Sequence, residues 1–99
     1  AFSVEYTQPA TPEAISPLAT IHETQPVFQW SNVNALSYEL WVDDRTANIS
    51  KIIYVTNITD TSYRAPINLT PGHSYRWWVR GVNGTVYGAW SVTAAFRVE

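Results

Sequence analysis

The chain has 99 residues, of which 45% are hydrophobic and only 14% are charged, and its formal net charge is −2. This length fits one domain and is too short for larger catalytic architectures such as the (β/α)₈ barrel, which needs roughly 250 residues. The slightly acidic balance offers no basic surface, so a nucleic-acid partner is disfavoured. The absence of cysteine excludes disulfides, thiolate metal sites and a cysteine nucleophile.

Neither a membrane span nor a targeting segment is evident. No apolar run approaches the roughly 20 residues that a membrane helix needs, so we expect no membrane insertion. Ala1–Gln8 lacks the basic stretch and apolar core of a signal peptide. We therefore expect the chain to be a piece of a larger protein.

The residue types favour β-structure, because Val, Ile, Thr, Tyr and Trp dominate and no window has an uninterrupted helical period. Short apolar runs separated by turn residues predict seven strands, the number of an immunoglobulin-like sandwich of two antiparallel sheets. Their predicted bounds are residues 14–20, 26–30, 36–43, 51–55, 62–65, 74–82 and 87–99. Asn83-Gly84 favours a hairpin turn before the last strand, since both residue types tolerate positive φ.

Alternation along these strands separates inward from outward side chains. The inward set is large and aromatic, as expected for a core built from flat side chains. The predicted core residues on the strands are Phe28, Trp30, Tyr38, Leu40, Tyr75, Trp77 and Phe96.

Four motifs follow one another along the chain: Trp30, Tyr-x-Leu at 38–40, Leu-x-Pro-Gly-x-x-Tyr at 69–75 and Gly-x-Trp-Ser at 88–91. Together they resemble fibronectin type III domains over residues 12–99. The resemblance implies a tyrosine corner, in which the Tyr75 hydroxyl bonds back to the backbone near Leu69. It also implies that Leu69, outside the predicted strands, belongs to the core. The adjacent pair Trp77-Trp78 resembles bacterial members of the family, which often occur in tandem on large exported proteins.

The two ends of the chain are similar to each other. Ala-Phe-Ser-Val-Glu at 1–5 and Ala-Phe-Arg-Val-Glu at 95–99 share four of five residues and are 94 positions apart. A repeat of this period predicts a tandem array, with residues 1–11 as a linker carrying the tail of a preceding repeat and residues 12–99 as the domain. The alternative is that two unrelated strands are built from common residues.

Residues that could perform catalysis are few. Neither histidine, His22 or His73, accompanies a nucleophile elbow, so both are interpreted as solvated loop residues and the chain as a non-enzyme. Asp43 and Asp44 are consecutive and point to opposite faces, which favours a polar turn over an acid–base pair or a calcium site. No glycine-rich phosphate loop is present, and we expect neither a cofactor nor a metal.

The aromatic surplus predicts a face on the outside of the sandwich. Its expected members are Trp41, Arg76, Trp78, Arg80 and Trp90, with Trp78 between the two arginines and Trp41 or Trp90 against the same row. The arrangement resembles the Trp–Arg ladder of cytokine-receptor modules, of which only one Trp-Ser pair is present. Stacked arginines favour a structural ladder. The alternative is a platform for sugars, although arginines between the rings would occupy the surfaces that a sugar needs.

The sequence thus predicts a non-catalytic structural or interaction module, a spacer or adhesion repeat of a larger exported or cell-surface protein. Its expected partners are neighbouring repeats, another protein or a polysaccharide, and the isolated domain is expected to be monomeric. One alternative is a carbohydrate-binding accessory module of a glycoside-processing enzyme. Another is an N-glycosylated receptor or adhesion ectodomain, because Asn-x-Ser/Thr sequons begin at Asn48, Asn57, Asn68 and Asn83. Such sequons also arise freely where turns meet strands.

Overall fold

The computed structural model describes residues 5–99, which form nine β-strands and no helix. The strands are β1 (Ala14–Ser16), β2 (Ala19–Ile21), β3 (Val27–Trp30), β4 (Ser37–Asp44), β5 (Ile49–Ile58), β6 (Ser62–Arg64), β7 (Ser74–Asn83), β8 (Val86–Tyr87) and β9 (Ala94–Val98). Among these residues there is accordingly no helix that is long and apolar enough to cross a membrane.

The strands form two sheets that pack face to face as a sandwich. The smaller sheet has the order β1-β3-β6, and the larger has the order β2-β9-β7-β4-β5, with β8 paired to β7. At the centre of the larger sheet, β4 and β7 pair without a break from Ser37 opposite Val82 to Asp44 opposite Tyr75. This long pair is the frame that positions the outer face.

The first predicted strand is divided between the two sheets. Pro17 has no N–H to donate, and Ala19 has a φ of 60°, so the ladder is interrupted between β1 and β2. β1 pairs with β3, whereas β2 pairs with β9 in parallel. The expectation of purely antiparallel sheets is therefore wrong at this edge, because the chain changes sheets without reversing its direction.

The last predicted strand is also divided, into β8 and β9, with residues 88–93 outside the ladder. β5 is longer than predicted, and its pairing with β4 shifts register twice. A hairpin forms one residue later than predicted. Asn83 ends β7 opposite Val86, so the two loop residues are Gly84 and Thr85. Of Asn83 and Gly84, only Gly84 has a positive φ.

Aromatic side chains contact one another in the core, both between the two sheets and within the larger one. Phe28 meets Trp77 edge-on with ring centroids 5.1 Å apart and Phe96 at 5.9 Å, and Tyr75 stacks on Phe96 at 5.3 Å. All eight residues predicted for the core are buried: Phe28, Trp30, Tyr38, Leu40, Leu69, Tyr75, Trp77 and Phe96.

Two tyrosine hydroxyls tie loops to the core. The Thr70 N–H donates to the Tyr75 hydroxyl at 2.8 Å, which is the tyrosine corner that the Leu-Thr-Pro-Gly turn implied. Burial, more than any other influence, raises the pKa of Tyr75. At the opposite end, the Tyr38 hydroxyl accepts from the Val33 N–H at 3.1 Å and donates to Asn32 Oδ1 at 3.2 Å. The sequence did not predict these hydrogen bonds of the Tyr38 hydroxyl.

Candidate functional site on the outer face of the larger sheet

Three tryptophans lie together on the outer face of the larger sheet. Trp41 of β4 and Trp78 of β7 are direct cross-strand partners, and their ring centroids are 5.4 Å apart. Trp90, from the segment between β8 and β9, meets Trp41 edge-on at 5.5 Å. Edge-to-face and tilted pairs of this kind are favoured by the quadrupoles of the rings.

Two cations lie over the rings at the ends of this row. The guanidinium of Arg80 lies 4.3 Å from the centroid of Tyr87 and 4.4 Å from that of Trp90. The Lys51 ammonium lies 4.7 Å from the centroids of both Trp41 and Tyr54. We call the set of Tyr54, Trp41, Trp78, Trp90 and Tyr87, with Lys51 and Arg80, the aromatic ladder.

A buried carboxylate holds Arg80 in place. Glu39 Oε1 accepts from Arg80 Nε at 2.8 Å and lies 2.7 Å from Arg80 Nη2. The Tyr54 hydroxyl donates to the same oxygen at 3.2 Å. Burial first and the charge of Glu39 second raise the pKa of Tyr54. Glu39 thus contacts both Tyr54, at one end of the aromatic ladder, and Arg80, which stacks on Tyr87 at the other end.

Two of the three indole N–H groups are also bonded within the domain. Trp41 Nε1 donates to Asp43 Oδ1 at 2.6 Å, and Trp78 Nε1 donates to Thr93 Oγ1 at 2.8 Å. Asp43 Oδ1 accepts a further bond from the Lys51 N–H at 2.9 Å. Lys51 has a φ of 56° in the irregular part of β5, and this backbone bond holds it there.

Four of the five residues predicted for this face come together, namely Trp41, Trp78, Arg80 and Trp90. The exception is Arg76, which is exposed and lines a separate groove with Ala95. Trp78 is not sandwiched between arginines, because its ring packs on Trp41 directly opposite. Cross-strand partners lie about 4.5–5.5 Å apart, closer than next-but-one neighbours on the same strand, which are about 6.6 Å apart.

Solved structures with a similar fold cover nearly the whole chain. One is a Fn3-like protein from Clostridium thermocellum, with a TM-score of 0.63 and 21% identity over 94% of this chain and 93% of that one. Another is the fibronectin type III domain of human fibronectin type III domain containing protein 3, with a TM-score of 0.67 and 20% identity over 98% and 92% of the two chains. The chain has the fibronectin type III fold. No protein-family model matches it, and no curated protein matches it in sequence.

Sequence reasoning missed four members and supports of the aromatic ladder on this fibronectin type III sandwich: Glu39, Lys51, Tyr54 and Tyr87. The Asn83-Gly84 pair carried a usable signal for Tyr87, since a two-residue hairpin there places Tyr87 on the same face as Arg80. In the structure Tyr87 lies opposite Val82. Lys51 and Tyr54 had no such signal, because the irregular register of β5 cannot be read from alternation.

The interpretation of His73 as a solvated loop residue is wrong. His73 Nδ1 lies 2.8 Å from Asp44 Oδ2, and Asp44 is buried. Asp44 also accepts from the backbone N–H groups of Thr46 and Ala47, at 3.0 and 2.9 Å. A buried carboxylate needs such partners, so the pair ties the end of β4 to the turn before β7. His22 is exposed.

The pKa of Asp44 lies below its ordinary value of 3.8. Burial alone would raise this pKa, but the Ala47 N–H, the hydrogen bond and charge of His73, and the Thr46 N–H together outweigh it. Within residues 5–99, the Asp44 carboxylate is the hydrogen-bond partner of the His73 ring.

Replacing Asp44 by asparagine should make the unfolding midpoint less dependent on pH in acid solution. A carboxyl whose folded pKa is lowered contributes stability above its ordinary pKa and loses it as the pH falls through the folded pKa. Thermal unfolding midpoints measured from neutral to strongly acid pH give this dependence, with Asp60→Asn in an exposed turn as the control. An Asp44→Asn profile as steep in acid as that of the parent would contradict the assignment.

One groove of the domain has a volume of about 480 Å³. It runs between residues 11–14, Leu18 and residues 92–94, and Glu13 is its titratable side chain. Across residues 5–99, no three or more His, Asp or Glu side chains are grouped as a metal ion would need. The aromatic ladder is therefore the candidate functional site.

Proposed function

We propose that the chain is a non-catalytic spacer or adhesion repeat of a larger exported or cell-surface protein. The observation that carries the proposal is the aromatic ladder, in which both cations, the indole N–H groups of Trp41 and Trp78, and the buried Glu39 find their partners inside the domain. A face satisfied in this way stabilises the sheet and leaves few polar groups to recognise a ligand. Its partners in this proposal are neighbouring repeats or another protein.

The carbohydrate-binding alternative has one observation in its favour. Tyr54 and Tyr87, at the two ends of the aromatic ladder, are 41% and 51% exposed. However, Lys51 lies over the ring of Tyr54 and Arg80 lies over the ring of Tyr87. Each cation covers a ring surface on which a sugar would have to stack, so the structural ladder is the better proposal.

The glycosylated-ectodomain alternative meets a specific obstacle at Asn83. Its Nδ2 donates to the Thr7 carbonyl at 2.9 Å, while its Oδ1 accepts from the Leu36 N–H at 2.9 Å. A glycan on Nδ2 would displace the contact with Thr7. Asn48, in the turn before β5, and Asn57, within β5, are exposed and have a positive φ, which asparagine tolerates better than most residues.

Truncating Trp78 to alanine should lower the free energy of unfolding by about 1–3 kcal/mol, because a partly exposed tryptophan loses packing and ring contacts. It should remove no binding, because the parent is expected to pass through cellulose, chitin and xylan without retention. Chemical denaturation and retention on these matrices measure the two effects. Ile15→Ala, on the other sheet, is the control for an exposed apolar side chain. Clear retention of the parent that Trp78→Ala abolishes would establish the carbohydrate-binding alternative instead.

A further inference from the structure

Residues 5–11, which the sequence predicted to be part of a linker, pack against the domain. We call them the N-terminal segment. Asn83, at the end of β7, donates from Nδ2 to the Thr7 carbonyl and accepts at Oδ1 from the Leu36 N–H. One side chain thus joins the N-terminal segment, the β7–β8 hairpin and the loop before β4.

Tyr6 lies directly on the backbone of the hairpin. Gly84 has a φ of +60°, and a Cβ added there would come closer than 3.0 Å to three atoms of the Tyr6 ring. Gly72 has a similar φ of +88°, but a Cβ added there would meet nothing within 4 Å. A Cβ at position 84 would therefore have to displace the Tyr6 ring, in addition to the strain that the positive φ imposes.

Pro9 occupies a buried site between two other glycines. A Cβ on Gly81 would lie 2.9 Å from both Pro9 Cβ and Ala35 Cβ, and a Cβ on Gly88 would lie 3.1 Å from the Pro9 carbonyl oxygen. Three of the four glycines in the chain thus line the path of the N-terminal segment. The absence of side chains at these positions is what admits the N-terminal segment to the surface.

If residues 1–5 are the end of a preceding repeat, the docked N-terminal segment leaves almost no free chain between that repeat and this domain. Residues 1–4 lie outside the described part of the chain, so the similarity is one of sequence alone. In this domain Glu99 is still attached, because its N–H donates to the Ile21 carbonyl at 2.9 Å. The equivalent residue of a preceding repeat is Glu5, and the next residue, Tyr6, is already docked. Because one residue spans at most about 3.6 Å, the two attached ends would lie close together.

We propose that the N-terminal segment and the β7–β8 hairpin form a rigid joint that fixes the orientation of a preceding fibronectin type III repeat. This inference rests on the proposed function, since it takes the chain to be one repeat of an array. The partner surface on the preceding repeat is the end at which its last strand finishes. In this domain that end contains Gly72, whose N–H donates to the Val98 carbonyl at 2.7 Å.

The docking itself is tested in the single chain by a double-mutant cycle. Tyr6→Ala and Gly84→Ala should each lower the unfolding midpoint, and together they should lower it by less than the sum, because the added methyl then has no ring to displace. Gly72→Ala combined with Tyr6→Ala is the matched control and should be additive, since it imposes a similar φ without a neighbour. Additive behaviour of the Tyr6 and Gly84 changes would overturn the docking.

The joint is tested in a two-copy chain in which residues 95–99 of the first copy stand in place of residues 1–5 of the second. Because the sequence has no cysteine, Asp60→Cys in both copies allows spin labelling at one exposed position of each. A single narrow distance distribution is expected. Gly84→Ala in the second copy should broaden it, whereas Gly72→Ala in the second copy, at the end away from the joint, should not. Asn83→Ala, which removes the bond to Thr7, provides a second variant should Gly84→Ala fold poorly.

A broad distribution in the parent two-copy chain, or one that none of these variants changes, would overturn the joint. Neither result would touch the proposed function, which fails separately if the parent is retained on a polysaccharide through Trp78. Conversely, retention on a polysaccharide would contradict the proposed function, but the distance distribution would still test the joint.

Discussion

Replacing Trp30 by alanine should lower the free energy of unfolding by about 3–5 kcal/mol. Trp30 is only 2% exposed and packs against Tyr38, with ring centroids 5.7 Å apart. Truncation removes this contact and leaves a cavity in the core. Since domains of this size are stable by only about 5–15 kcal/mol, much of the folded population is expected to be lost. Chemical denaturation followed by circular dichroism measures the change.

A milder pair of substitutions keeps the core assignment testable even if Trp30→Ala does not fold. Within residues 5–99 the Trp30 indole N–H has no hydrogen-bond partner, whereas Trp77 Nε1 donates to the Pro17 carbonyl at 3.0 Å. Trp77→Phe leaves that carbonyl without its donor, and Trp30→Phe removes a donor that was unsatisfied. We expect Trp30→Phe to be the less costly change by about 1–3 kcal/mol. Equal costs, or the reverse order, would contradict this description of the core.

Replacing Arg80 by alanine should lower the free energy of unfolding by about 3–5 kcal/mol, because it leaves Glu39 as a buried carboxylate without its charged partner. The side chains of Arg80 and Glu39 are only 21% and 9% exposed, so solvent screens the pair weakly. The same change removes the stacking on Tyr87 and Trp90. Urea denaturation of the parent and the variant gives the difference.

Two further variants separate the charge of Arg80 from its shape. Arg80→Lys keeps the charge but loses the planar fork and the stacked surface, so we expect an intermediate loss of stability. Adding Glu39→Gln to Arg80→Ala should recover part of the loss, because the unpaired buried charge is then gone. If Arg80→Ala were as stable as the parent, or if Glu39→Gln made the double variant worse still, the buried ion pair would not be the support of the aromatic ladder.

The sequence predicted those parts of the site that depend on alternation within one strand. Trp41 and Trp78 are on the outer face because every second residue of β4 and β7 points outward, and the unbroken register of this pair preserves that pattern. The core follows for the same reason. Trp77 points inward beside Trp78 because consecutive strand residues occupy opposite faces.

The other features of the site and the fold depend on contacts between distant parts of the chain, which alternation within a strand does not predict. Lys51 reaches Trp41 through an irregular stretch of β5, where a positive φ breaks the period of two. His73 pairs with Asp44 because the turn before β7 lies beside the end of β4, although the two residues are 29 positions apart. The first predicted strand is divided because β1 pairs with β3 and β2 pairs with β9. The local sequence pattern does not predict these partners.

The aromatic ladder is proposed to be an internal support of the sandwich and is expected to bind no sugar. A ¹⁵N-resolved titration with soluble cello-, chito- and xylo-oligosaccharides tests this proposal directly, because each of the five tryptophans gives its own indole N–H signal. The buried Trp30 and Trp77 are internal controls, and Trp41, Trp78 and Trp90 report on the face. We predict that no indole signal moves with added sugar. Saturable shifts confined to Trp41, Trp78 and Trp90 would contradict the claim and assign the face to carbohydrate binding.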